Sequence, residues 1–142
     1  MEPLQEPVVG VRLWPQVYAI ARLDTVPEGL PSHTVGGPPV AVIVGHGEVS
    51  VLAPEDVIGD LALPGDEVFR GWRALTLEAV FPLGTVGVLA TVSGALAEVG
   101  VPVMVFSSHD TDHFLVPAAS LGRALAALNQ ASLGRFLRAP GR

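Results

Sequence analysis

The clearest hydrophobic pattern lies in the second half of the chain. Between Trp72 and Val80 apolar residues are interleaved with Arg73, Thr76 and Glu78, which predicts a β-strand over 73–80. Phe81-Pro82-Leu83-Gly84-Thr85-Val86-Gly87 then breaks the strand. An apolar run follows, with Val86, Leu89, Ala90, Ser93, Leu96 and Ala97 at helical spacing. This predicts a helix over 84–99, capped by Thr85 or Gly84. Gly100 fits the left-handed residue past a helix end, and Pro102 adds a stop. Two further strands, 102–108 and 113–117, flank the polar stretch His109-Asp110-Thr111-Asp112-His113. A second helix over 118–129 places Leu121, Leu125 and Leu128 on one face, and Ser132 to Leu137 adds a short turn or strand. The order is β-α-β-β-α, one strand short of a ferredoxin-like βαββαβ unit with both helices on one face of an antiparallel sheet.

The first half is less regular. Residues 1–16 read as a lead-in and Val17 to Leu23 as a strand. Asp24 to Pro39 holds four prolines and three glycines, which predicts a loop. Val40 to Val44 and Glu48 to Leu52 flank Gly45-His46-Gly47, a hairpin signature. Ala53 to Val57 suits one helical turn, and Leu61 to Arg70 a connector. Element order alone therefore suggests an α+β chain of two similar units, the second complete and the first abbreviated. The expected divisions are a lead-in at 1–12, a first unit at 13–66 and a second at 67–142.

Composition narrows the class. Of 142 residues 49% are apolar and 15% charged, enough apolar content for a sizeable core. No apolar run approaches the ~18 residues of a membrane helix, and Met1 to Pro7 is acidic and proline-rich, unlike a signal peptide. A cytoplasmic protein is expected. The net charge is −6, and the eight basic residues are arginines scattered along the chain, so no nucleic-acid surface is predicted. The absence of cysteine excludes disulfides, Cys-ligated zinc and thiol catalysis. Low charge on an apolar chain predicts exposed apolar surface and self-association, with a homodimer as the simplest form.

Three segments are similar to the CASTOR-like branch of the ACT domains, which includes small bacterial tandem-ACT proteins. They are Gly71-Trp72-Arg73-Ala74-Leu75-Thr76-Leu77-Glu78, Gly84-Thr85-Val86-Gly87-Val88-Leu89-Ala90, and Val105-Phe106-Ser107-Ser108-His109-Asp110-Thr111-Asp112-His113-Phe114-Leu115-Val116-Pro117. The resemblance covers roughly residues 70–130; the first strand and Pro54-Glu55-Asp56 fit more loosely. It implies tandem ACT-like units that bind an amino acid or similar small metabolite and regulate a partner, with no catalytic machinery and no cofactor. Carried over by position, the ligand site would comprise Leu83, Gly84, Thr85, Val86 and Gly87, with Asp112 from the hairpin. Many ACT domains carry Asp or Asn in this turn; Phe81-Pro82-Leu83 supplies no ionisable side chain here.

The chemistry is consistent with that placement. A helix N-terminus offers free N–H groups and partial positive charge to a carboxylate. Gly84 and Gly87 lack Cβ atoms that would crowd it. Asp112 opposite would pair with an α-amino or guanidinium group. The alternatives are glycines serving turn geometry, a solvated hairpin with Asp side-chain turns, a homodimerising interaction module without ligand, and a metal site built from His109, Asp110, Asp112 and His113. Alternation along an extended strand sends Asp112 and His113 to opposite faces, which argues against the metal site. No Gly-x-Ser-x-Gly elbow appears. His33 and His46 fall in Gly/Pro-rich loops, Trp14 and Trp72 read as packing residues, and Arg73 as a partner for Glu78 or solvent.

Overall fold

The computed structural model describes residues 9–30 and 35–137. The elements are β1 (Gly10–Leu23), β2 (Ala41–Gly45), β3 (Glu48–Pro54), α1 (Glu55–Leu61), β4 (Glu67–Glu78), α2 (Val88–Glu98), β5 (Met104–Ser107), β6 (Asp112–Pro117) and α3 (Leu121–Gln130). Short 3₁₀ turns occupy Ala118–Ser120 and Leu133–Leu137. His33 lies outside the described residues. The described residues divide into two compact units, one within 14–74 and the other within 75–137 together with 9–13.

In the unit of residues 14–74 the strands neighbour one another in the order β2-β3-β1-β4. β3 pairs antiparallel with both β1 and β2. The β2–β3 hairpin closes with Gly45 opposite Glu48, and His46 and Gly47 both have positive φ (52° and 78°). This is the type I′ geometry that matches strand twist, as the Gly-His-Gly signature predicts. Ala19, Ala21, Val49, Val51, Ala53 and Ile58 form the core. The Tyr18 hydroxyl is buried and donates to the Pro39 carbonyl (2.6 Å); burial raises its pKa well above the ordinary value.

In the unit of residues 9–13 and 75–137 the order is β1-β4-β6-β5, with β5 and β6 antiparallel. Leu75 and Leu77 of β4, Val88, Val92 and Leu96 of α2, Phe114 and Val116 of β6, and Ala124 and Leu128 of α3 share one core. Both helices therefore pack on the same face of the sheet, as expected. Each fully buried aliphatic or aromatic side chain here contributes about 1.5–3 kcal/mol.

Several boundaries differ from expectation. The strand expected at Val17 begins at Gly10. β4 begins at Glu67, inside the stretch expected as a connector, and runs through Gly71, whose φ of +82° suits glycine. Helix α1 makes about two turns rather than one. α2 starts at Val88 rather than 84, and neither Gly84 nor Thr85 caps it; Gly87, in the left-handed region, stands at the N-cap. Its buried face is Val88, Val92 and Leu96, whereas Val86 and Leu89 are exposed. Arg73 donates to the Trp14 carbonyl (3.0 Å), while Glu78 pairs with Arg12 (3.8 Å).

Candidate functional site

A cavity of about 390 Å³ opens between the 81–90 segment and the hairpin 107–112. Its first wall is built by the turn after β4. The Thr85 N–H donates to the Pro82 carbonyl (2.9 Å), which folds Pro82 to Thr85 into a tight turn. Gly87 then reverses the backbone at φ +105° and its carbonyl accepts from the Thr91 N–H (2.9 Å), opening α2. No side chain caps this helix start and its first turn holds no acidic residue. The N–H groups of that turn therefore concentrate partial positive charge at the cavity wall.

Phe136, from the 3₁₀ turn at 133–137, supports this start from behind. A Cβ on Gly87 would lie 3.2 Å from its ring. Arg135 stacks over the same ring (4.7 Å) and donates to Thr91 Oγ1 (3.0 Å). Neither residue is singled out by sequence reasoning, because the contact joins positions far apart in the chain.

The second wall is the β5–β6 hairpin. Ser107 and Asp112 are register partners, and the Ser107 hydroxyl donates to Asp112 Oδ1. The Ser108 N–H donates to the Thr111 carbonyl (2.9 Å), closing the turn. His109 and Asp110 pair at the exposed tip (2.8 Å). The Phe81 N–H donates to the Asp110 carbonyl (3.1 Å), tying this wall to the first, and the Thr111 hydroxyl donates to the Leu77 carbonyl (2.8 Å), tying it to β4.

Of the six residues expected at a ligand site, Leu83, Thr85, Val86, Gly87 and Asp112 line this cavity. Gly84 does not, and a Cβ there would meet nothing within 4 Å. The lining also includes Phe81, Val88, Leu89, Ser107 and Thr111, and it contains no Arg or Lys. The hairpin groups weighed as metal ligands do not converge. His113 turns away from the cavity, stacks on Phe106 (5.0 Å between centroids) and contacts Thr76 Oγ1 (2.9 Å) and Ser108 Oγ (3.1 Å). Among the described residues no group of three or more His, Asp or Glu side chains is arranged to hold a metal ion. Burial lowers the His113 pKa below 6.5, with the nearby Asp112 charge acting in the opposite sense.

Residues 67–130 match the family model of the ACT domain. This segment runs from β4 through α3 and contains the whole cavity. A crystal structure of a protein from Agrobacterium tumefaciens is 26% identical, with a TM-score of 0.70, and the alignment covers 89% of this chain and 90% of that one. The ligand-free regulatory subunit of aspartate kinase from Thermus thermophilus is 21% identical, with a TM-score of 0.57 over 86% and 95% of the two chains. A protein of unknown function from Vibrio cholerae, described as a possible transport protein, is 21% identical, with a TM-score of 0.61 over 83% and 85% of the two chains. The last two likenesses bear on the fold alone. No curated protein matches the chain. Among the described residues no helix is long and apolar enough to cross a membrane.

Proposed function

We propose that this protein is a non-catalytic regulatory module that binds an amino acid or a similar small metabolite in the cavity between α2 and the β5–β6 hairpin. The observation that carries the reading is the pairing of unlike walls. An uncapped helix start, suited to a carboxylate, faces a hairpin whose Asp112 and Asp110 suit an ammonium group. Leu83, Val86 and Leu89 would receive an apolar side chain. The regulatory part of the reading is supported by the ACT-domain match and by fold likeness to the aspartate kinase regulatory subunit.

The strand orders β2-β3-β1-β4 and β1-β4-β6-β5 support two ACT-like units, the first with its opening helix replaced by the loop after β1. The protein would be cytoplasmic and belong to the CASTOR-like branch, transmitting ligand state to a protein partner. A homodimer would cover the cavity mouth, where Leu83 and Val86 are 78% and 88% exposed.

That exposure also favours a second reading, a homodimerising module whose cavity stays empty, in which the Ser107–Asp112 bond serves only the hairpin. Calorimetric titration with amino acids decides between them. Saturable binding that Asp112→Asn weakens about tenfold or more supports the sensor, and dimerisation without binding supports the interaction module.

A further inference from the structure

We propose that His113 is the positioning residue for the hairpin wall of the cavity, acting as the neutral Nε2–H tautomer in the middle of a one-way hydrogen-bond relay from Thr76 to the Thr111 carbonyl. The inference deepens the binding reading given above, but its chemistry is independent of any ligand.

The direction of the relay follows from proton counting. The Ser108 hydroxyl has one proton and donates it to the Thr111 carbonyl (3.2 Å). Toward His113 Nε2, 3.1 Å away, it can then only accept, so Nε2 carries the imidazole proton. A neutral ring leaves Nδ1 bare, so in the proposed relay the Thr76 hydroxyl, 2.9 Å away, is the donor to it. Each donor thus has an acceptor in the next member: Thr76 to His113, His113 to Ser108, Ser108 to Thr111. The relay joins the interior of β4 to the turn that carries Asp112, and Thr111 is fastened to Leu77 of β4 by its own hydroxyl. Stacking on Phe106 of β5 fixes the ring plane.

Protonation of the ring would remove the Nδ1 lone pair and force the Thr76 bond to reverse. The ring already gains its neutral form from burial. The charge that acts on it is Asp112 on its own strand; the Glu78–Arg12 pair lies on the neighbouring β4 and β1, and the exposed His109–Asp110 pair at the hairpin tip. β5 contributes only Phe106 and Ser107 at this level.

The test uses the full chain without ligand. Nitrogen NMR of labelled histidine at pH 7.5 reads the tautomer directly, and the relay requires the Nε2–H form. Amide exchange of Ser108, whose N–H is bonded to the Thr111 carbonyl, reads the hairpin. In His113→Phe it should quicken about tenfold, whereas His113→Gln, which keeps a donor near Nε2, should stay within about threefold of the parent. The parent's Ser108 amide should also lose protection as pH falls through the His113 titration, and His113→Gln should show no such step. An Nδ1–H tautomer, or equal behaviour of the Phe and Gln variants, would overturn the proposal. Failure here leaves the ligand reading standing, since that is judged by titration with amino acids. Failure of that titration leaves the relay standing.

Discussion

Ser107 and Asp112 face each other at the turn end of the β5–β6 hairpin, and the serine hydroxyl donates to the aspartate carboxylate. The bond holds one carboxylate oxygen and orients the side chain toward the cavity lined by both residues. Asp112→Asn keeps an acceptor for Ser107 and loses only the charge. The expected result is an unchanged fold by circular dichroism and a loss of about ten- to a hundred-fold in amino-acid affinity by calorimetry. That range corresponds to the roughly 1.5–3 kcal/mol of a charge-assisted hydrogen bond. Unaltered affinity would remove Asp112 from the site.

Gly87 and Gly84 should respond in opposite ways to substitution. Gly87→Ala forces a Cβ onto a backbone at φ +105° and toward Phe136 at 3.2 Å. The expected cost is about 1–3 kcal/mol in chemical denaturation, together with weakened ligand binding, because the start of α2 must shift. Gly84→Ala meets open space and should change stability by less than about 0.5 kcal/mol. Equal losses at both positions would contradict the assignment of Gly87 as the constrained residue.

Much of this is legible in the sequence, and the misses have local causes. Gly100 and Pro102 end α2 where they should, and Gly45-His46-Gly47 makes its hairpin, because such residues act through their own backbone. The buried face of α2 is not legible from periodicity because the helix is apolar nearly all round: Leu89 and Ala90 fit a periodic stripe as well as Val88 and Val92 do. Only packing against Leu75 and Phe114 distinguishes them. The turn and the hairpin were expected at one site and do line one cavity. The supporting contacts escape a linear reading. Phe136 behind Gly87 and Thr76 beside His113 join positions tens of residues apart, and no sequence spacing links either pair.

His113 sets a pH dependence of stability. Burial lowers its pKa in the folded chain below the 6.5 of an exposed histidine. Between the two values the unfolded chain binds more protons, so stability rises with pH. Its contribution is complete above about pH 6.5 and is lost as pH falls toward the folded value. Urea midpoints for the parent should therefore drop from pH 7.5 to pH 5.5 by more than those of His113→Gln. Parallel pH profiles would show that the histidine titrates alike in both states.

The exposed rim of the cavity makes assembly testable. Light scattering at micromolar concentration should give twice the 14.7 kDa chain mass. Leu83→Glu or Val86→Glu should shift it toward the monomer, since each places a charge where 78% and 88% exposed side chains would meet a second copy. A monomeric parent would contradict coverage of the rim by self-association.

The central claim is that the cavity takes an amino acid, and thermal unfolding of the full chain against a panel of amino acids tests it most directly. At about 100 times its dissociation constant a true ligand adds about 2.7 kcal/mol of stability. The account predicts such a shift for at least one zwitterion with an apolar side chain, and a shift reduced to about 0.4–1.4 kcal/mol in Asp112→Asn at the same concentration. A folded parent whose unfolding temperature is unmoved by every amino acid at millimolar concentration would contradict it.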